Sequence, residues 1–281
     1  MDFLYKQNET LLFEIQETKV WNEMIAFWHL GQSGVLLKGP EGMICIDPYL
    51  TYRIETSDPG TEFKRAFASP LEPEMLKGAG AVLVTHHHDD HLDLETLSRL
   101  NKVSPETKWI VPEPHTDMLT GSPSFQKVIG AVSGKPIKAA GFTILPVAAA
   151  HTEYENDDKG NDLYLGYFLI CNGVRLYHSG DNVVTDELLK AVCAFHPDVA
   201  FLPINGIDYF RTKRNIVGNM TFRESADFGH AAGIDLIVPV HYDLFPNNRD
   251  NPVYFVDYLS RHYPSQKFHM MVTGERFVYV K

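Results

Sequence analysis

Short apolar runs recur along the chain, each closed by Gly, Pro or a polar turn. From Ile25 the pattern is strand-like. Phe27 and His29 precede the turn Gly31-Gln32-Ser33-Gly34, Val35-Leu36-Leu37 follows, and Met43-Ile44-Cys45-Ile46 leads into Asp47-Pro48. Such punctuation suits hairpin connections. Further strands are predicted at 81–84, 109–111, 143–147, 163–170, 174–177, 199–202, 236–240 and 277–280. Helical spacing appears at 92–100, at 187–194 with Asp186 and Glu187 where the helix dipole favours them, and at 253–259. Thr221-Phe222-Arg223-Glu224 reads as a capping box opening a helix that ends at Gly233. Near the start, Leu11, Leu12, Ile15 and Val20 predict a helical extension over residues 1–25, packed on a single-domain body of 26–281. Strands come first as a meander and later alternate with helices. That order predicts mixed sheets with helices outside rather than a parallel barrel.

Composition narrows the class little. With 44% hydrophobic and 22% charged residues, the chain reads as an ordinary globular protein. A net charge of -11 argues against a nucleic-acid partner, because phosphate binding calls for clustered Lys and Arg. The cysteines, Cys45, Cys171 and Cys193, are odd in number, form no C-x-x-C pair and sit in apolar segments. They are expected as buried, reduced thiols in a cytoplasmic compartment. The N-terminal residues show no signal-peptide pattern, and no apolar run reaches the roughly 20 residues of a membrane span.

The chemistry concentrates at Thr85-His86-His87-His88-Asp89-Asp90-His91, directly after the run 81–84. Four metal-capable side chains (His86, His88, Asp90 and His91) fall within six residues, as H-x-H-x-D-H. Neutral imidazoles beside a hard carboxylate suit zinc, manganese or iron. Three more candidates end apolar strands downstream: His151 after 147–150, Asp181 after Tyr177-His178-Ser179-Gly180, and His241 after Val238-Pro239-Val240. Taken singly, His151 suits a core histidine and Asp181 a helix N-cap. Their joint occurrence at strand ends is the argument. Seven ligands can build two adjacent sites, with His86, His88 and His151 at one ion, Asp90, His91 and His241 at the other, and Asp181 between. A water shared by two divalent ions loses its proton near neutral pH and becomes a nucleophile. Asp90 is expected both to ligate and to orient that nucleophile or take its proton. His178 reads as a supporting residue, and His87, His115, His196, His230, His262 and His269 as structural or surface.

These residues resemble the metallo-β-lactamase superfamily from about Phe27 to the C-terminus. The resemblance implies a four-layer αβ/βα sandwich of two mixed β-sheets flanked by helices, with one or two divalent metals at one edge. His88 matters here, because the flavodiiron branch carries Glu at that position and does redox chemistry. Within the superfamily, Trp28-His29-Leu30-Gly31-Gln32-Ser33-Gly34, Tyr177-His178-Ser179-Gly180-Asp181, Asn219-Met220-Thr221 and Val238-Pro239-Val240-His241-Tyr242-Asp243 resemble the L-ascorbate 6-phosphate lactonase group. That likeness implies manganese, and the wider superfamily zinc or iron; a homo-oligomer follows by the same analogy.

The substrate side is expected in the loop 205–220, which holds Tyr209, Arg211, Lys213, Arg214 and Asn215. Asn205, Arg211 and Arg214 are the candidate substrate residues, an anion hook for a small phosphate- or carboxylate-bearing molecule. The reading is a metal-dependent hydrolase of a small anionic lactone or ester. Alternatives are a phosphodiesterase or nuclease on the same core, a mononuclear iron thiol dioxygenase, and a non-catalytic protein that keeps metals for stability.

Overall fold

A computed structural model describes residues 4–281. The first sheet begins with β1 (Met24–Gly31), β2 (Gly34–Lys38), β3 (Met43–Ile46), β4 (Ala79–Leu83), β5 (Lys108–Pro112) and β6 (Val128–Ala131). The second holds β7 (Ile137–Ala139), β8 (Phe142–Ala148), β9 (Leu165–Cys171), β10 (Val174–His178), β11 (Val199–Pro203), β12 (Leu236–Val240) and β13 (Lys267–Phe268). The last strand, β14 (Arg276–Val280), returns to pair with β1, so each sheet has seven strands. In each, an antiparallel meander gives way to parallel neighbours: β3 to β6 in the first, β10 to β13 in the second. Helices carry the later crossovers, at Leu94–Val103, Asp186–Phe195, Phe222–Ala231 and Pro252–His262.

The strands read as almost continuous apolar runs because both of their faces are buried. Successive side chains point to opposite faces. Phe27, Leu37, Ile44, Leu83, Phe201 and Val238 enter the core between the sheets. Their neighbours Trp28, Leu36, Cys45 and Val82 pack under the first sheet's helices, and Ala200, Leu202 and Ile237 under the second sheet's. Phe27 and Phe201 meet edge to face across the sheets, ring centroids 5.1 Å apart. The result is a four-layer sandwich, helix, sheet, sheet, helix, as the family resemblance implies, with the mixed sheets and outer helices that the order of elements predicts.

Of the helical segment expected over 1–25, residues 1–3 lie outside the described residues, and the helix itself covers Asn8–Glu17. Leu11 and Ile15 are buried with Trp28 and Leu36, while Phe13 faces solvent. Trp28 Nε1 donates to Glu14 Oε1 at 3.1 Å, and Lys38 Nζ donates to the Ile15 carbonyl at 2.6 Å, tying the helix to β1 and β2. Val20 lies beyond the helix end. The capping box at Thr221 and Glu224 forms, and the helix it opens closes just before Gly233. The cysteines differ from expectation in one case. Cys45 and Cys171 are buried free thiols, but Cys193 is exposed, on the outer face of a helix that buries Leu188, Val192 and Phe195.

Strand direction places the site. β3 and β4 run parallel, as do β10, β11 and β12. Two antiparallel steps make β8 parallel to β10 and β1 parallel to β3. All of these strands therefore exit toward the same rim. There the sheets are stitched together: Leu165 N donates to Thr85 O at 2.9 Å, Tyr167 Oη to Val84 O at 2.7 Å, and His241 N to Gln32 O at 2.8 Å.

Candidate metal centre

The rim gathers all seven candidate ligands into two groups. His86, His88, His151 and Asp181 form one, and Asp90, His91 and His241 the other, each with ligand atoms within 4.8 Å of one another. The first group comes from the β4, β8 and β10 exits, and the second from the β4 and β12 exits. His86 Nε2 and His88 Nδ1 are 2.9 Å apart. Asp181 stands between the groups. Its Oδ1 is 3.2 Å from His91 Nε2, and its Oδ2 is 3.2 Å from His241 Nε2 and 3.6 Å from His151 Nε2. Asp90 Oδ2 lies 3.7 Å from His91 Nε2 and 3.6 Å from His241 Nε2.

The backbone is bent to achieve this. Gly180 has φ +59°, and a side chain there would bring Cβ within 2.8 Å of Thr85 Cβ, so the close turn that delivers Asp181 needs glycine. His178 steadies the same turn: its Nε2 donates to Ser33 O at 2.9 Å, and its Nδ1 accepts from Gly180 N at 3.2 Å. His241, Asp47 and Gln32 also hold left-handed φ values of 59°, 46° and 56°. Such conformations carry strain in residues other than glycine, and strain of this kind clusters at functional sites.

The electrostatics divide the groups. Burial drives His86 well below the usual histidine range, reinforced by the neighbouring His91 and His88. Burial also lowers His151 and takes His88 down to about 4. These imidazoles are neutral at pH 7, the form a metal accepts. The second group behaves oppositely. Burial works against charge on His241, but Asp181 and Asp90 outweigh it and hold that imidazole up to about 9. His91 is likewise raised, against burial, by Asp181, Asp90 and Asp47. Burial opposes ionisation of Asp181 and Asp90 too; His241 and His91 overcome it for Asp181, and His91 with His241 for Asp90, keeping both well below the usual carboxylate range.

A metal fits this set on a structural test. His91 Nε2, both ring nitrogens of His151 and Asp181 Oδ1 are buried without a hydrogen-bond partner among the described residues. Orphaned donors and acceptors of this kind are costly in a folded protein unless an ion satisfies them. One consequence is measurable. Below about pH 9 His241 carries a proton that a metal at the second group must displace, so affinity there should climb with pH over that range. Calorimetric titration in buffers of different ionisation enthalpy should show net proton release at pH 7 as the rim fills with metal. Binding with no proton release would contradict the assignment.

Several supporting residues escaped the sequence reading. Asp47, fully buried at the β3 exit, accepts from Thr85 N at 2.8 Å and Thr85 Oγ1 at 2.7 Å, and its Oδ2 lies 2.8 Å from His91 Nδ1. It thereby turns His91 Nε2 toward Asp181. Gln32, in the β1–β2 turn, donates from Nε2 to Asp90 Oδ2 at 2.8 Å, and its backbone N–H donates to Asp243 at 3.1 Å. Asp243 in turn pairs with His29 at 3.1 Å. Tyr164 packs its ring 5.4 Å from those of His86 and His151. Asp47 carried the available signal, because it too follows an apolar strand at its exit.

Over the ligands opens a cleft of about 250 Å³. Its lining includes His88, Asp90, His151, Asp181 and His241, with Asp89, Ile54, Phe63, Phe245, Asn215, Val217 and Asn248. The three residues expected to hold substrate are placed differently. Arg211 donates to Asn205 O at 2.8 Å and Asn248 Oδ1 at 3.2 Å, and pairs with Asp208. Arg214 pairs with Glu62 at 2.6 Å. Asn205 is buried, its side chain bonded to Asn248 and Asn219. Both guanidiniums are thus engaged by nearby carboxylates, and neither lines the cleft; the loop contributes Asn215 and Val217 instead.

Comparison with known proteins agrees with this geometry. A family sequence model described as a β-lactamase superfamily domain matches residues 44–242, a span that contains all seven candidate ligands. A UPF0173 metal-dependent hydrolase of Methanoculleus marisnigri is 29% identical over 193 residues, covering 65% of this chain and 71% of that protein. The probable L-ascorbate-6-phosphate lactonase UlaG of Escherichia coli is 24% identical over 271 residues, covering 85% of this chain and 75% of that protein. A solved structure described as a possible metal-dependent hydrolase, from Veillonella parvula, superposes with a TM-score of 0.71 at 19% identity, covering 90% and 99% of the two chains. At that identity the likeness concerns the fold. No helix among the described residues is long and apolar enough to cross a membrane. A sandwich of two mixed sheets, a rim of histidines and aspartates able to bind metal, and a family match over most of the chain lead to one statement: this chain belongs to the metallo-β-lactamase superfamily, as a metal-dependent hydrolase.

Proposed function

We propose that the chain hydrolyses a small lactone or ester, with His86, His88 and His151 holding one divalent ion, Asp90, His91 and His241 a second, and Asp181 serving both. The observation that carries this reading is the Asp181 carboxylate, buried between two histidine groups with an oxygen that no hydrogen bond from the described residues satisfies. Manganese or zinc suits the imidazole and carboxylate donors, with iron as a further candidate. When bound, such ions lower the pKa of a coordinated water and polarise a carbonyl.

The protein's own part is positional. Asp90 faces the cleft, stays ionised across the working range and has Oδ2 fixed by Gln32. It orients the attacking water by accepting its proton in a hydrogen bond. Asp47 keeps His91 in one tautomer and one rotamer. Phe63 and Phe245, at 5.6 Å edge to face, wall the cleft against bulk water. A cleft near 250 Å³ suits a small substrate. The lactonase likeness supports a cyclic ester, and the net charge of -11 weighs against a nuclease.

The test is a panel of lactones, carboxylic esters, phosphodiesters and thioesters assayed before and after stripping with a chelator. Lactone or ester turnover should vanish with the metal and return on adding Mn²⁺ or Zn²⁺. Turnover that survives complete stripping, or turnover confined to phosphodiesters, would contradict the proposal.

A further inference from the structure

We propose that Asn248 is a substrate-orienting donor, and that the cleft selects an uncharged lactone or ester bearing an apolar side chain. This rests on the hydrolase reading above and adds the class of its substrate. Asn248 is 7% exposed and lines the cleft beside the metal-binding groups. Its Oδ1 accepts from Arg211 Nη1 at 3.2 Å and from Asn205 Nδ2 at 3.2 Å. An arginine only donates, so the atom facing Arg211 is the oxygen, whichever way round the amide is drawn. Asn205 is fixed in its turn, its Oδ1 accepting from Asn219 Nδ2 at 3.2 Å. The NH₂ end of Asn248, a residue that lines the cleft, is left without an acceptor among the described residues. An unpaired donor on a cleft wall favours a ligand that offers an oxygen.

The rest of the cleft offers apolar wall and no lysine or arginine. Ile54, Phe63, Val217 and Phe245 supply apolar wall. Among the described residues that line it, none is Lys or Arg. The nearby cations are already paired with carboxylates: Arg53 with Asp89 at 3.1 Å, Arg211 with Asp208, and Arg214 with Glu62. A phosphate at the substrate's end remote from the metal-binding groups would lose water beside Asp89 and meet no side-chain cation of the lining.

Calorimetric titration of the protein, carrying its metals as purified, tests this with two probes: a hexyl-substituted δ-lactam, the non-hydrolysable counterpart of a lactone, and the same lactam with a phosphate at the end of its side chain. The plain lactam should bind at least about tenfold more tightly than its phosphate. Asn248→Asp keeps an acceptor for Arg211 and Asn205 but removes the donor, and should weaken lactam binding about tenfold or more. Asn248→Ala should do the same, which guards against a folding defect in one variant. Arg211 is a positioning residue. Arg211→Met should weaken lactam binding in the wild-type background and add little in Asn248→Ala, whereas a purely structural role would add in full. Tighter binding of the phosphorylated lactam, unchanged affinity in both Asn248 variants, or no lactam binding would overturn the proposal. Lactam binding without hydrolysis of the matching lactone would overturn the hydrolase reading and leave the cleft assignment standing.

Discussion

Replacing Asp181 by Asn should cost the protein both its metal and its turnover. The carboxylate is 4% exposed and reaches His91 and His241 at 3.2 Å each, and His151 at 3.6 Å. Asn has nearly the same shape, so the fold should survive. One of its two heads, however, is a donor that cannot ligate, and its charge is gone. Bound metal should fall by at least one equivalent per chain, and kcat/KM on the best ester or lactone by about three orders of magnitude, roughly 4 kcal/mol of transition-state stabilisation. Metal analysis and kinetics on the same preparation check the pair. Near-normal turnover with the metal lost would refute the role of Asp181.

Asp47→Ala should have the second-largest effect, and it should appear first in stability. The side chain is fully buried and serves Thr85 N, Thr85 Oγ1 and His91 Nδ1. Removing it strands three polar groups in the interior at once. The expected loss is about 3–5 kcal/mol of unfolding free energy. Metal affinity at the His91 group should fall about 10- to 100-fold, because that imidazole loses its orienting partner. Asp47→Asn, which keeps an acceptor, should retain part of both. Denaturant unfolding and metal titration measure the two effects separately. A stability change under about 1 kcal/mol would show that Thr85 and His91 are held by something else.

The metal-binding rim was legible from the sequence because its logic is one-dimensional. A strand buried on both faces leaves an unbroken apolar run, as at Ala81-Val82-Leu83-Val84, and a polar residue at its exit stands out. His86, His151, Asp181 and His241 all obey that rule, so a pattern along the chain found residues that meet only in three dimensions. Asp47 obeys it too, but lacks a second ligand type beside it to draw notice. Gln32 was not legible: its role depends on a turn being carried to the same rim by two antiparallel pairings.

The cations show the converse limit. Arg211 and Arg214 stand out in an acidic chain, and the sequence counts them without showing their partners. Arg214 meets Glu62, 152 positions away, and Arg211 is held by Asp208, Asn205 and Asn248. The edge strands β6 and β7 also went unpredicted. Their residues are largely half-buried, so neither alternation nor a full apolar run marks them. Cys193 was misplaced because its apolar neighbours belong to one helical face and the cysteine to the other.

Anomalous scattering from crystals of the protein grown with Mn²⁺ tests the central claim most directly. Two peaks should appear at the rim, one among His86, His88 and His151 and one among Asp90, His91 and His241, with the Asp181 carboxylate between them. Manganese bound elsewhere, or a rim that stays empty at saturating metal, would contradict the account.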